Sequence, residues 1–79
     1  MARHSTVEPD WASFGPNLTR IMQIRGITHE DMARVLDVSP RTVYYWGSGK
    51  VFPHVHKIDE VKRFLKVGFF ELVRPLKRA

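Results

Sequence analysis

Arg41, Tyr44 and Tyr45 lie within five positions of one another in the stretch "SPRTVYYWGSGK", residues 39–50. An arginine carries a rigid fork of N–H donors that matches the N7 and O6 acceptors of guanine or the oxygens of a phosphate. A tyrosine ring can pack on a thymine methyl, and its hydroxyl can hydrogen-bond to a phosphate. This is the chemistry of contact, not of bond-making, and the remaining candidates add no catalytic set. Asp59 and Glu60 have no pocket and no oriented partner, and read as a solvated helix face. His54 and His56, even with His29, lack a carboxylate or thiolate at ligand spacing, so no metal site is expected. "GSGK" lacks the spacing and the preceding strand of a phosphate-binding loop. The expectation is a protein that is not an enzyme and needs no cofactor.

The charge supports a polyanionic partner. The chain has 79 residues, a net charge of +5 and a sequence pI near 10.1. Residues 1–38 carry four Lys/Arg against five Asp/Glu, whereas residues 39–79 carry nine against three. The positive field therefore begins where the quoted stretch begins, which favours nucleic acid. With no cysteine, a disulfide framework, a thiolate zinc site and a cysteine nucleophile are all excluded. No apolar run approaches the roughly 20 residues of a membrane span. A cytoplasmic protein associated with the nucleoid is expected.

The side chains must be held by short helices. In "PNLTRIMQIR" the residues Leu18, Ile21 and Met22 recur at helical spacing, with Pro16 in the first turn and Gly26 at the end. Thr28 and Asp31 suit an N-cap with its capping-box partner, ahead of a buried face of Met32, Val35 and Leu36. Asp37 stands where the chain turns sharply. Ser39 as N-cap and Pro40 at the first helical position start a third helix, expected to run to about Trp46 and to be stopped by Gly47 and Gly49. "HVHKIDEVKRFLK" places Val55, Ile58, Val61, Phe64 and Leu65 on one stripe, broken at Gly68. "FFELV" is a short final helix. Five helices without a strand pattern predict an all-α, compact five-helix bundle at 14–74. A flexible arm at 1–13 precedes it, pinned by Trp11, and a basic tail at 75–79 follows.

The helices at 28–36 and 39–46 are joined by a short break, with the small Ala33 on the first. That is the spacing of a helix-turn-helix, whose second helix enters the major groove. Val43 and Trp46, three apart, can face inward. Arg41 and Tyr45 then share the outward face one turn apart, with Tyr44 at its edge.

At this point the sequence resembles the Cro/cI-type, XRE-like helix-turn-helix domains of phage repressors and small bacterial regulators. The matching pieces are "FG..L..I", "RGIT.E.MA..L.VS..TV..W..GK" and "P......I...FL", over about 14–73. The resemblance implies a lambda-repressor-like fold. It implies base contacts from Pro40, Arg41 and Tyr45, with Tyr44 beside them. Backbone contacts would come from Thr28, His29, Ser39, Thr42, Ser48 and Lys50. The sequence departs from the family at Asp37, usually glycine, and at His29, often glutamine. Met22 and Gly47 stand where the family commonly pairs an arginine with a glutamate, so an apolar contact is expected there.

Phe69, Phe70, Leu72 and Val73 are too apolar for a free terminus, and are expected to form a two-fold interface in part. The leading reading is a homodimeric repressor that binds an inverted repeat in double-stranded DNA. One alternative is an antitoxin whose arm, with Trp11, engages a toxin; contact with RNA polymerase is left open. Another is an excisionase-like architectural protein, although 50–59 is short for that fold's wing.

Overall fold

A computed structural model describes residues 11–74. Residues 1–10 and 75–79 lie outside the described residues, and with them most of the expected arm and the whole basic tail. A single 3-10 turn, Trp11–Ser13, leads without a break into α1, Phe14–Arg25. Next come α2, His29–Leu36; α3, Pro40–Ser48; α4, Val55–Leu65; and α5, Phe69–Val73. The fold class is all-helical with five α-helices, and no strand occurs among the described residues, including the stretch where a wing would lie.

Local chemistry explains most boundaries. Helix α1 begins two residues before Pro16, which occupies a first-turn position whose N–H would have no intrahelical acceptor. The Thr28 hydroxyl accepts from the Asp31 N–H at 3.0 Å, and the Asp31 carboxylate accepts from the Thr28 N–H at 3.0 Å. Helix α2 ends at Asp37, whose φ of 59° puts a non-glycine residue in the left-handed region. Ser39 caps α3 through the Thr42 N–H at 3.1 Å.

Two helix ends differ from the expected ones. Helix α3 runs through Gly47 to Ser48, and Gly49 provides the left-handed cap with φ of 85°. Gly47 instead packs closely on α1: a Cβ there would lie 2.8 Å from the Thr19 hydroxyl oxygen, and a Cβ on Gly15 would lie 2.5 Å from the Gly47 carbonyl oxygen. Helix α4 ends at Lys66, with φ of 58°, and Gly68 is the N-cap of α5. Lysine was not an obvious left-handed residue, since its Cβ opposes that conformation.

The core is built from Phe14, Leu18 and Met22 of α1, Met32, Ala33 and Leu36 of α2, Val43 and Trp46 of α3, Val61 and Leu65 of α4, and Leu72 and Val73 of α5. Full burial of each large side chain contributes about 1.5–3 kcal/mol. Val35 and Val55, both expected inside, are 54% and 67% exposed. The seam of α2 runs along Met32, Ala33 and Leu36, which leaves Val35 to one side. Val55 is the first residue of α4, one turn before Ile58 becomes buried. Leu72 and Val73, two of the four residues expected at a two-fold interface, are fully buried within the single chain. Phe69 is half-buried, and Phe70 alone of the four is exposed.

Candidate nucleic-acid interface

The site starts from α3, whose orientation is set by Val43 and Trp46, 0% and 3% exposed. Anchoring that stripe turns Pro40, Arg41 and Tyr44 outward. The first turn of α2 lies alongside, and together they form an open cleft of about 550 Å³ lined by His29, Glu30, Pro40, Arg41, Tyr44 and Tyr45. Four of the predicted base-reading residues, and the predicted backbone contact His29, are thus gathered in one place.

The tyrosines differ from the expected ranking. Tyr44 is 55% exposed, while Tyr45 is half-buried. The Lys50 ammonium sits 5.6 Å from the centre of the Tyr45 ring and covers part of it. The His29 ring stands edge-on to Tyr44, with centroids 5.9 Å apart, and Tyr44 lies 5.9 Å from Tyr45. A row of three rings therefore spans from the start of α2 to the middle of α3, and Tyr44 is its outermost tyrosine.

Among the predicted backbone contacts, Ser39 and Thr42 are joined, their hydroxyl oxygens 3.0 Å apart at the start of α3. Thr28 is engaged in its capping box. The Ser48 hydroxyl donates to the Tyr45 carbonyl at 3.1 Å, so it serves the end of α3. Glu30 was not among the predicted contacts. Its place in the first turn of α2 signalled only a favourable helix dipole, yet it lines the same cleft as Arg41.

The positive charge is sorted by its partners. Lys57 pairs with Glu60 at 3.1 Å, Lys62 with Asp59 at 3.9 Å, Arg63 with Asp59, and Arg34 with Asp31 at 3.8 Å. Arg41 and Lys50 form no ion pair among the described residues and are exposed. Both ends of α3 thus carry a cation that can meet an anion without breaking an internal pair, as Lys66 and Arg74 also can elsewhere on the surface. His54 and His56 face each other as stacked rings, 5.5 Å apart and 12° from parallel. Trp11, the proposed anchor of a partner-binding arm, packs against Phe52 and Phe69, at 5.1 and 5.5 Å. Among the described residues no helix is long and apolar enough to cross a membrane.

No protein-family model and no curated protein matches the sequence. Solved structures do. A transcriptional regulator from Listeria innocua is 29% identical, with a TM-score of 0.73 over 84% of this chain and 62% of that one. The SOS-response transcriptional repressor LexA from Eubacterium rectale is 19% identical, with a TM-score of 0.75 over 95% of this chain and 84% of that one. The hydroxypropylphosphonic acid epoxidase from S. wedmorenis is 18% identical, with a TM-score of 0.76 over 87% of this chain and 37% of that one. This chain therefore has the helical fold found in transcriptional regulators, and it spans less than two thirds of the Listeria protein and of the epoxidase. The fold also occurs in an enzyme, so function has to be argued from the site.

Proposed function

We propose that the chain is a non-enzymatic, sequence-specific reader of double-stranded DNA, a dimeric transcriptional repressor of the Cro/cI type that occupies an inverted repeat. The observation that carries this reading is Arg41. It stands exposed and, among the described residues, without an ion-pair partner on the first turn of a helix whose opposite face is locked into the core. Helix α3 enters the major groove, where Arg41 donates to guanine N7 and O6, a contact worth about 1–3 kcal/mol of discrimination. Tyr44 packs beside it on a thymine methyl or donates to a phosphate. Ser39, Thr42 and His29 meet the backbone at the start of α3 and α2, where two helix dipoles present their positive ends. Lys50 meets it past the end of α3.

Selection of binding sites from a randomised duplex pool, with Arg41→Ala run beside the wild type, tests the proposal. Enrichment of an inverted repeat, with one position relaxed in the variant, supports it. Binding without any enriched sequence, fading only as salt rises, overturns it.

A further inference from the structure

Trp11, Phe52 and Val55 are 51%, 44% and 67% exposed, a large apolar display for so small a chain. They line one open groove of about 460 Å³ together with half-buried Phe69, and Asp59 and Lys62 stand on its rim. The rings are held firmly. Phe52 lies 5.0 Å from buried Phe14 and 5.1 Å from Trp11, which in turn lies 5.5 Å from Phe69. The groove shares no residue with the cleft at the start of α3.

We infer that this groove is the two-fold contact between two copies of the chain, in place of the 69–73 face expected from hydrophobicity. The rim selects a second copy over a strongly charged partner. It offers one anion and one cation, three positions apart along α4, and a two-fold axis sets residue i against j and j against i. Asp59 and Lys62 already pair within each chain at 3.9 Å, so two copies about such an axis set two opposed pairs side by side with their charges alternating. Aromatic side chains bury about 150–250 Å² each, so these half-exposed groups present on the order of 300–400 Å² per copy. Doubled, that is about 600–800 Å² before the polar rim is counted, below the roughly 1,200 Å² of stable interfaces, which makes a weak, reversible dimer. Phe52 stands three residues past Gly49, the cap of α3, so pairing through the groove also sets the distance between two reading helices.

The inference deepens the dimeric reading above, and its test does not depend on DNA. Sedimentation equilibrium of the full chain is run on the wild type, Val55→Asp and Ile24→Asp. Val55 opens α4, where an aspartate suits the positive helix end, so helicity and melting by circular dichroism are retained. Ile24 is a control, 73% exposed and outside the groove. The wild type is expected to form dimers, with dissociation raised more than about tenfold by Val55→Asp and left unchanged by Ile24→Asp. Asp59→Lys should weaken the dimer, and the double swap Asp59→Lys with Lys62→Asp should restore it. A wild type that stays monomeric overturns the inference. A Val55→Asp protein that dimerises normally, or equal loss in both variants, also overturns it. Gel shifts run in parallel separate the two readings: dimers that bind no DNA sink the function but leave this contact standing.

Discussion

The side-chain amide of Asn17 lies 2.9 Å from the Leu72 carbonyl oxygen and 3.1 Å from that of Arg74. One buried group on α1, only 4% exposed, thus holds the C-terminal end of α5 to the bundle. Helix α5 has five residues, too few to persist without such a tie.

Asn17→Ala leaves both carbonyls without this donor and is expected to lower stability by about 1–3 kcal/mol. Asn17→Asp should be worse, because an ionised carboxylate only accepts and would face two carbonyl oxygens. Urea unfolding measures both. Equal stability of Asn17→Ala and the wild type would show that α5 docks through Leu72 and Val73 alone.

Glycines at the α1–α3 contact provide a ranking. A Cβ at Gly15 would meet backbone, 2.5 Å from the Gly47 carbonyl oxygen, and the helices could only move apart. A Cβ at Gly47 would meet the Thr19 hydroxyl oxygen at 2.8 Å, which rotation about χ1 can relieve. Gly15→Ala should cost about 1–3 kcal/mol by overpacking. Gly47→Ala should cost less, since alanine recovers up to about 1 kcal/mol of helix propensity, and adding Thr19→Ala should make it neutral or stabilising. Thermal melts of the three variants check the order.

These contacts mark the border of what was legible in the sequence. Caps and stripes are local, so Thr28 with Asp31, Ser39 with Pro40, and the inward pair Val43 and Trp46 could be read from spacing alone. The cleft could be read only in part. Tyr44 is the more exposed of the two tyrosines and Lys50 lies over the Tyr45 ring, a tertiary detail with no periodic signal. Asn17, Arg25 and Lys57 were silent for the same reason: each acts on a carbonyl at the end of another helix, at Leu72, Leu65 and Leu36 respectively. Gly47 looked like a stop because a glycine's role in close helix approach depends on what faces it.

The start of α2 gives a pH prediction. The hydrogen bond from the Thr28 backbone N–H, aided by its hydroxyl and by the Arg34 charge, holds the Asp31 carboxyl below its ordinary value. A depressed carboxyl stabilises the fold above its unfolded pKa, and that contribution is lost as pH falls through the lower folded value. The α2 cap should therefore be intact at neutral pH and weaken only as pH falls below the range in which a free aspartate titrates. Titration of the Asp31 carboxyl carbon by NMR should give a midpoint below that of an unstructured aspartate. In Thr28→Val, which removes the hydroxyl, the midpoint should rise without fully normalising, because the backbone donor remains.

Lys50 and Lys57 carry the same charge but should fail differently. The Lys57 ammonium donates to the Leu36 carbonyl at 2.6 Å and to Glu60 at 3.1 Å, bracing the end of α2 against α4. Hydrogen bonds from a charged group contribute about 1.5–3 kcal/mol, so Lys57→Met should lose stability of that order and leave DNA binding, measured on folded protein, with an unchanged salt dependence. Lys50 has no carboxylate partner among the described residues and covers only the Tyr45 ring. Lys50→Ala should melt like the wild type, weaken binding evenly across sequences, and reduce the slope of log affinity against log salt by about 1. The two slopes, measured by fluorescence anisotropy on one selected duplex, decide whether the free cation past the end of α3 is a phosphate contact. A slope unchanged in both variants would leave Lys50 outside the interface and confine the reading surface to the first turns of α2 and α3.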